Sequence, residues 1–391
     1  MSKRDCPICS SKEHELLFTQ EFTAMSSGSL LSSYDVVSCH KCGFCYADNI
    51  PDQGILDEYY QDMSKYEYQD SEGQESSQDL LRFQAIVDTL IPFLSPEHRI
   101  LEIGCANGKL LSLLKKQGYG EVSGLDPSPV CAKTAQELYG ISVHNHNLWK
   151  MPVPPEKFNC IIMSAVLEHI RDLNRCLDKI TALLSVGGIL EIEVPDASCL
   201  AEIHGAPFQE FSTEHIDFFS PISLNNLLQT HGYEKLVCEQ NVRQQSDNTL
   251  MPVITVIYQY TGNTNQELAF DSSTTTSLSA YINKSQLIEL NLKRTIDDIV
   301  ADKQPIIVWG VGTHTQRLLA TSSLSQASIS AFVDSNIRYQ DKLLQGISII
   351  SPADIINYDE PILISSQVFQ DSIQNQIREN LQLKNRVITL Y

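Results

Sequence analysis

From Arg99 to about Val256, short apolar runs alternate with stretches of helical period. The runs "RILEIG", "EVSGLD", "NCIIMS" and "GILEIEV" predict strands, and the segments between them predict crossover helices. Strands spaced by helices indicate a parallel sheet. "KLVCEQ" and "MPVITVIYQY" predict an antiparallel pair at the sheet's edge. After Gln304 a second series, "PIIVWGVG", "ISAFVDSN", "ISIISPADI", "PILISS" and "RVITLY", predicts a smaller α/β domain. The polar stretch 261–278 reads as a boundary. In "AYINKSQLIELNLKRTIDDIVADK", Ile282, Leu287, Leu290, Ile296 and Ile299 recur at roughly helical spacing and predict one connecting helix. Upstream, "DLLRFQAIVDTLIPFL" is helical in period, and residues 1–46 are rich in cysteine with weak periodicity. The expected units are 1–70, a small module and its connector; 71–260, the main α/β domain; 261–302, linker and helix; and 303–391, the second α/β domain.

Composition narrows the function. A length of 391 residues exceeds a single core. The formal net charge of -20 argues against sequence-independent binding to a phosphate backbone, so no nucleic-acid partner is expected. No apolar run reaches membrane-spanning length, and "MSKRDCPICS" lacks the apolar core of a signal peptide, so neither membrane nor secretion is expected. Of the 11 cysteines, those from Cys45 onward show no pairing pattern and read as buried thiols in a reducing cytoplasm.

The first four cysteines differ. Cys6-Pro7-Ile8-Cys9 and Cys39-His40-Lys41-Cys42 form two C-x2-C knuckles. Two-residue spacing turns both thiolates of a knuckle toward one ion, and two knuckles complete a tetrahedral shell. The 29-residue gap between them is long enough for a hairpin. A closed four-thiolate shell has no open position, so the expected zinc is structural.

"RILEIGCANGKLLSLL" runs strand, glycine-containing turn, helix. Gly104 and Gly108 admit close approach of a ligand to the backbone, and Glu102 stands at the strand's carboxyl end. Asp126, in "VSGLDPS", ends the next strand, where it can accept both hydroxyls of a ribose. The turn is E-x-G-x-x-x-G and carries no basic residue, which suits an adenosyl ligand without a pyrophosphate. "LEIGCANGKLL", "GLDPSP", "NLWKMPVPPEKFNCIIMSAVLEHIRD" and "LLSVGGILEIEVPD" together resemble the successive motifs of class I S-adenosylmethionine-dependent methyltransferases, over about residues 98–240. The resemblance implies a doubly wound sheet and a set of roles. Gly104, Ala106 and Gly108 would form the loop beside the methionine part, with Ala106 in place of a frequent glycine, and Glu102 would be the acid at the strand end. Asp126 would hold the ribose with Pro127 beside the adenine. Asn147, where an aspartate is usual, and Leu148 would line the adenine. Ser164 and Ala165 would end the fourth strand beneath the methyl donor. Glu168 and His169 of "VLEHI" are commonly structural in this superfamily.

The order of modules is also informative. A four-cysteine module, a methyltransferase core and a C-terminal Rossmann-like domain resemble the three-domain sugar C-methyltransferases, which act on nucleotide-linked 4-keto-6-deoxysugars. In that family the C-terminal domain helps close over the nucleotide-sugar. Here Gly310 and Gly312 either cradle a phosphate or make a tight turn, and His314 and Thr315 stand where Lys-Gly is usual. A tyrosine of the connector lines the family's acceptor pocket, and among Tyr59, Tyr60 and Tyr66 the choice falls on Tyr66. C-methylation beside a ketone needs a base, and a histidine suits it. The family carries that base in an E-H-x-x-x-F-S stretch. "FSTEHIDFFSP" places Glu214 and His215 on it, with Ser212 replacing the usual tyrosine. Downstream, Ser220 and Pro221 read as N-cap and first residue of a helix ending at Gly232. The expected function is C-methylation of a nucleotide-linked keto-deoxysugar with His215 as general base. The alternatives are O- or N-methylation of another small metabolite, or a binding protein with a degenerate donor pocket.

Overall fold

The computed structural model describes residues 3–26, 30–62, 77–202, 205–246 and 249–391; Tyr66 lies outside them. The cysteine-rich segment forms β1 (His14–Glu21), β2 (Ser33–Cys39) and β3 (Cys45–Asp48), each antiparallel to the next. The gap between the knuckles thus holds a hairpin. The helices α1 (Gln53–Asp62) and α2 (Ser77–Leu90) follow. The main domain runs β4 (Ile100–Ile103), α3 (Lys109–Lys116), β5 (Val122–Leu125), α4 (Pro129–Tyr139), β6 (Ser142–His144), β7 (Phe158–Ser164), α5 (Leu173–Leu183) and β8 (Leu184–Pro195). It continues through β9 (Asp217–Phe218), α6 (Pro221–Gln229), β10 (Tyr233–Ser246) and β11 (Thr249–Tyr260).

The seven-stranded sheet has the order β10-β11-β8-β7-β4-β5-β6. β4 to β8 are mutually parallel, and β10 and β11 close the edge antiparallel, as the pattern predicted. The central strands are buried on both faces, which is why they read as apolar runs rather than alternations. β6 has three residues, too few to leave a pattern. The chain departs in opposite directions from β4 and β7, so their carboxyl ends open a crevice where ligands bind in such sheets.

After the main domain comes α7 (Ser272–Asp302), a single helix that begins inside the stretch expected as a boundary. The Asp271 side chain accepts from Thr274 N, and Thr274, Ser277 and Leu278 are buried, so capping and packing outweigh the weak propensity of a Ser/Thr run. Ile282 and Ile296 face inward, but Leu287 and Leu290 are exposed, contrary to the expected stripe. The C-terminal domain is β12 (Ile306–Trp309), α8 (Thr313–Thr321), β13 (Ile329–Val333), β14 (Leu343–Leu344), β15 (Ile347–Ile350), β16 (Ile362–Ile364), α9 (Gln370–Asn375) and β17 (Val387–Thr389). Its sheet order is β14-β15-β13-β12-β16-β17, with β14 the antiparallel member.

The modules interlock. β9 pairs with β3, Cys45 opposite Phe218 and Tyr46 opposite Asp217, so the segment carrying His215 completes the N-terminal sheet. Cys6, Cys39, Cys42, Phe44 and Tyr46 share one apolar core with Leu167, Leu173 and Phe219. No described helix is long and apolar enough to cross a membrane.

One core position carries a prediction. Glu191 of β8 is fully buried, and among the described residues no side chain hydrogen-bonds its carboxyl oxygens. Burial, reinforced by Glu193, pushes its pKa well above the usual value, so the folded chain holds a proton that the unfolded chain releases from about pH 4.5 upward. Stability therefore falls as pH rises, by about 1.4 kcal/mol per pH unit from this group until its folded pKa is reached. Glu191→Leu is expected to raise the urea midpoint at pH 8 and to flatten the decline between pH 5 and pH 8. A decline of unchanged slope in the variant would contradict this.

Candidate active site

The crevice at the ends of β4, β5 and β7 is lined by Gly104, Ala106, Asp126, Pro127, Asn147, Leu148 and Ala165, seven of the expected donor residues. Gly104 has φ +70°, and a Cβ there would stand 2.5 Å from Val166 Cγ2, so both the turn and the packing of Val166 require glycine. Ala106 adopts φ +44°, unusual for a residue with a side chain. Asp126 holds that turn: Oδ2 accepts from Ala106 N at 2.9 Å, and Oδ1 accepts from Ser128 N at 2.9 Å. One carboxylate thus orders both loops that would face an adenosyl group. Asn147 caps the short helix after β6, its Oδ1 accepting from Lys150 N at 3.2 Å, and its Nδ2 donates to Asp57 Oδ2 at 3.3 Å.

Three expected donor residues lie elsewhere. Glu102 and Ser164 line a smaller cleft that meets the main one at Gly104 and Ala106. There Arg82 of α2 donates to Ser164 Oγ and, through Nε, to Glu193 Oε1, each at 2.6 Å. Among the described residues Glu102 Oε2 has no hydrogen-bond partner, and burial pushes the Glu102 carboxyl up to about 8 against the pull of Arg82. Gly108 lines neither cleft: it is the N-cap of α3, and its small size serves packing against Ala135 and Ile141.

The cleft holds more than the pattern predicted. α1 contributes Gln53, Asp57 and Tyr60 to the main cleft, and His169 and Glu214 line it too. His169 Nδ1 lies 2.9 Å from the Glu214 carbonyl, which only accepts, and 3.0 Å from Tyr60 Oη. The contact assigns the ring proton to Nδ1 and leaves Nε2 basic in the neutral ring. His215 stacks edge-on against His169, ring centroids 5.1 Å apart, and does not itself line the cleft. Ligand atoms of Glu168, His169 and His215 lie within 4.8 Å of one another.

The acid beside His215 is not its sequence neighbour. The Glu214 carboxylate accepts from Tyr59 Oη at 2.9 Å, whereas Glu210 Oε2 lies 3.7 Å from His215 Nδ1. Burial raises the Glu210 carboxyl to about 7, offset in part by Arg243. Ser212 Oγ accepts from the backbone N–H of Glu214 and of His215, at 3.2 and 3.1 Å, so it shapes the turn that presents the pair. Ser220 caps α6 with a reciprocal bond to Ser223, as expected. Of the missed residues, Arg82 had a signal: it interrupts the apolar stripe that continues through Ile86, Val87 and Leu90.

Residues 76–238 match a family model described as a methyltransferase domain. The C-methyltransferase NovU of Streptomyces niveus is 22% identical over 356 residues, spanning 84% of this chain and 78% of that protein. The chain contains a class I S-adenosylmethionine-dependent methyltransferase domain. A ubiquinone biosynthesis O-methyltransferase of Rhodopseudomonas palustris is 29% identical to this methyltransferase over 98 residues, 24% of this chain and 38% of that protein. Among solved structures, the N-methyltransferase NodS of Bradyrhizobium japonicum with S-adenosyl-L-homocysteine covers 51% of the methyltransferase and 97% of its own chain, at 16% identity and TM-score 0.39. Residues 302–389 match a model described as C2185-like, N-terminal.

In the methyltransferase the four knuckle thiols converge, with every Sγ within 4.8 Å of the others. The Cys6–Cys42 and Cys9–Cys39 separations are 3.6 and 3.4 Å. Zn–S bonds of about 2.3 Å in a tetrahedron place sulfurs roughly 3.8 Å apart, so the cluster fits that ion. Lys41 N donates to Cys39 Sγ at 3.4 Å, the kind of outer contact that orients a thiolate. Cys45 is buried and bonds to Gly43 O at 3.6 Å and to Thr275 Oγ1 of α7 at 3.7 Å. The C-terminal domain reaches the segment before His215: Val368 shares a cleft with Glu210, Tyr281 and Lys284. The Tyr339 phenol of the same domain is raised to about 12, by burial and then by the Glu214 charge.

Proposed function

We propose that the methyltransferase C-methylates a nucleotide-linked keto-deoxysugar. The observation that carries this reading is the similarity to a C-methyltransferase across 84% of the chain, not over the donor-binding domain alone. Asp126 would hold the ribose of the donor, Asn147 and Leu148 its adenine, and Gly104 and Ala106 would face its amino-acid part. Glu102, Ser164 and Arg82 would meet the far end of that part from the smaller cleft. The donor supplies an electrophilic methyl group. His215, which lies behind His169 and outside the donor cleft, would take the proton from the carbon beside the ketone of an acceptor bound next to that cleft, helped by Glu210, while the Tyr60 hydroxyl orients the carbonyl. Tyr66 and Ser212 remain acceptor-side candidates, the latter through the loop it shapes. The four thiolates would bind a structural zinc ion. The negative net charge of the chain argues against a nucleic-acid partner.

O- or N-methylation is the second reading, supported by the O-methyltransferase likeness, which covers only 98 residues. The test is incubation with a nucleotide-linked 4-keto-6-deoxysugar and a donor labelled with carbon-13 in the methyl group. Product NMR is expected to show a methyl coupled to a sugar carbon. A methyl bound to oxygen or nitrogen would overturn C-methylation.

A further inference from the structure

We propose that Arg4 is a positioning residue for methyl transfer, tying the loops that carry His169 and His215 to the first cysteine knuckle. Arg4 stands two residues before Cys6 and is 5% exposed. Its backbone N donates to Asp48 Oδ1 at 2.7 Å. Nη1 donates to Ala47 O at 3.1 Å and to Ile216 O at 3.3 Å. Nη2 donates to Arg171 O at 2.7 Å and to the Asp217 carboxylate at 3.1 Å. The guanidinium carbon lies 5.4 Å from the centroid of the Tyr46 ring.

These acceptors belong to three segments distant in sequence. Ala47 is in β3, Ile216 directly follows His215, and Arg171 is two residues after His169. The two histidine loops also bond to each other, Ile216 N donating to Glu168 O at 3.0 Å, and Ala47 N donates to Ile216 O at 2.8 Å. On the other side of the knuckle, Asn174 Nδ2 donates to Pro7 O at 2.8 Å. A planar fork can serve carbonyls and a carboxylate that diverge around it, whereas a single ammonium cannot. The knuckle thus reaches both imidazoles through one side chain, and a metal bound by Cys6 and Cys9 would fix the segment that Arg4 projects from. The inference rests on the reading that these imidazoles act in the reaction, but the coupling is measurable without an acceptor.

The test uses the full chain as Arg4→Lys, with the double variant Arg4→Met/Asp217→Asn, which leaves no buried charge unpaired, as a second route. Arg4→Lys is expected to keep one zinc ion per chain and to bind S-adenosylhomocysteine within about threefold of the wild type, the donor loops being untouched. Amide exchange at 214–218 is expected to quicken by about tenfold or more, and the imidazole nitrogen resonances of His169 and His215 to shift. Chelation of zinc from the wild type should quicken the same segment. With the keto-sugar as acceptor, kcat should fall about 100-fold, the loss expected from an ångström of misplacement, with KM for the donor little changed. Wild-type loop exchange and imidazole spectra in both variants would overturn the proposal. So would a uniform rise in exchange over the whole chain, which marks a purely structural role, or an unchanged kcat beside a loosened loop. If the wild type does not methylate the keto-sugar, the substrate reading fails, and the acceptor-free measurements still decide the coupling.

Discussion

Asp126→Ala is expected to weaken binding of S-adenosylhomocysteine by roughly 10²–10⁴-fold, measured by calorimetry. Charge-assisted hydrogen bonds to two ribose hydroxyls contribute about 1.5–3 kcal/mol each. The same substitution also removes the acceptor for Ala106 N, which holds a turn at positive φ. The loss should therefore lie toward the upper end of that range. Asp126→Asn keeps an oxygen for Ser128 N but turns away charge, and it should fall between alanine and the wild type. Alanine-variant affinity within threefold of the wild type would place the donor's ribose elsewhere.

The second large effect concerns the thiol cluster. Zinc binding in small modules contributes about 10–16 kcal/mol of apparent free energy, comparable with the whole stability of a domain. Cys39→Ser, or a strong chelator, is expected to remove one zinc ion per chain and to dissolve the four-stranded sheet. Cys6, Cys39 and Cys42 pack in the same core as Leu167, Leu173 and Phe219, so the damage reaches the methyltransferase domain. At roughly 2–4 °C per kcal/mol, a loss of even a few kcal/mol lowers Tm by about 10 °C. A metal-free chain with wild-type Tm and circular dichroism would contradict the assignment.

The parallel strands were legible because burial on both faces writes them as apolar runs. β6 and β14, with three and two residues, write nothing. Gly104 and Asp126 were legible as a glycine turn after one strand and an acid ending the next, local features that the fold brings to one cleft. The acid–base pair was legible only in part. Nothing in "TEHID" says that Glu214 turns to Tyr59 while Glu210 approaches His215, since that depends on a turn closed by Ser212 and on β9 joining a sheet made by the N-terminal module. His169 read as structural from the superfamily resemblance; its contacts, the Glu214 carbonyl and Tyr60 of α1, come from segments remote in sequence and leave no local pattern.

The central claim is that His215 removes a proton from carbon. Its most direct test is solvent-deuterium incorporation beside the ketone of a nucleotide-linked 4-keto-6-deoxysugar, followed by NMR, with S-adenosylhomocysteine in the donor site so that no methyl transfer competes. Wild-type protein is expected to exchange that position, and His215→Asn to do so more slowly by about 10²–10⁴-fold, the usual contribution of a general base. Equal exchange in the two proteins, or none in the wild type while methyl transfer proceeds, would contradict the account.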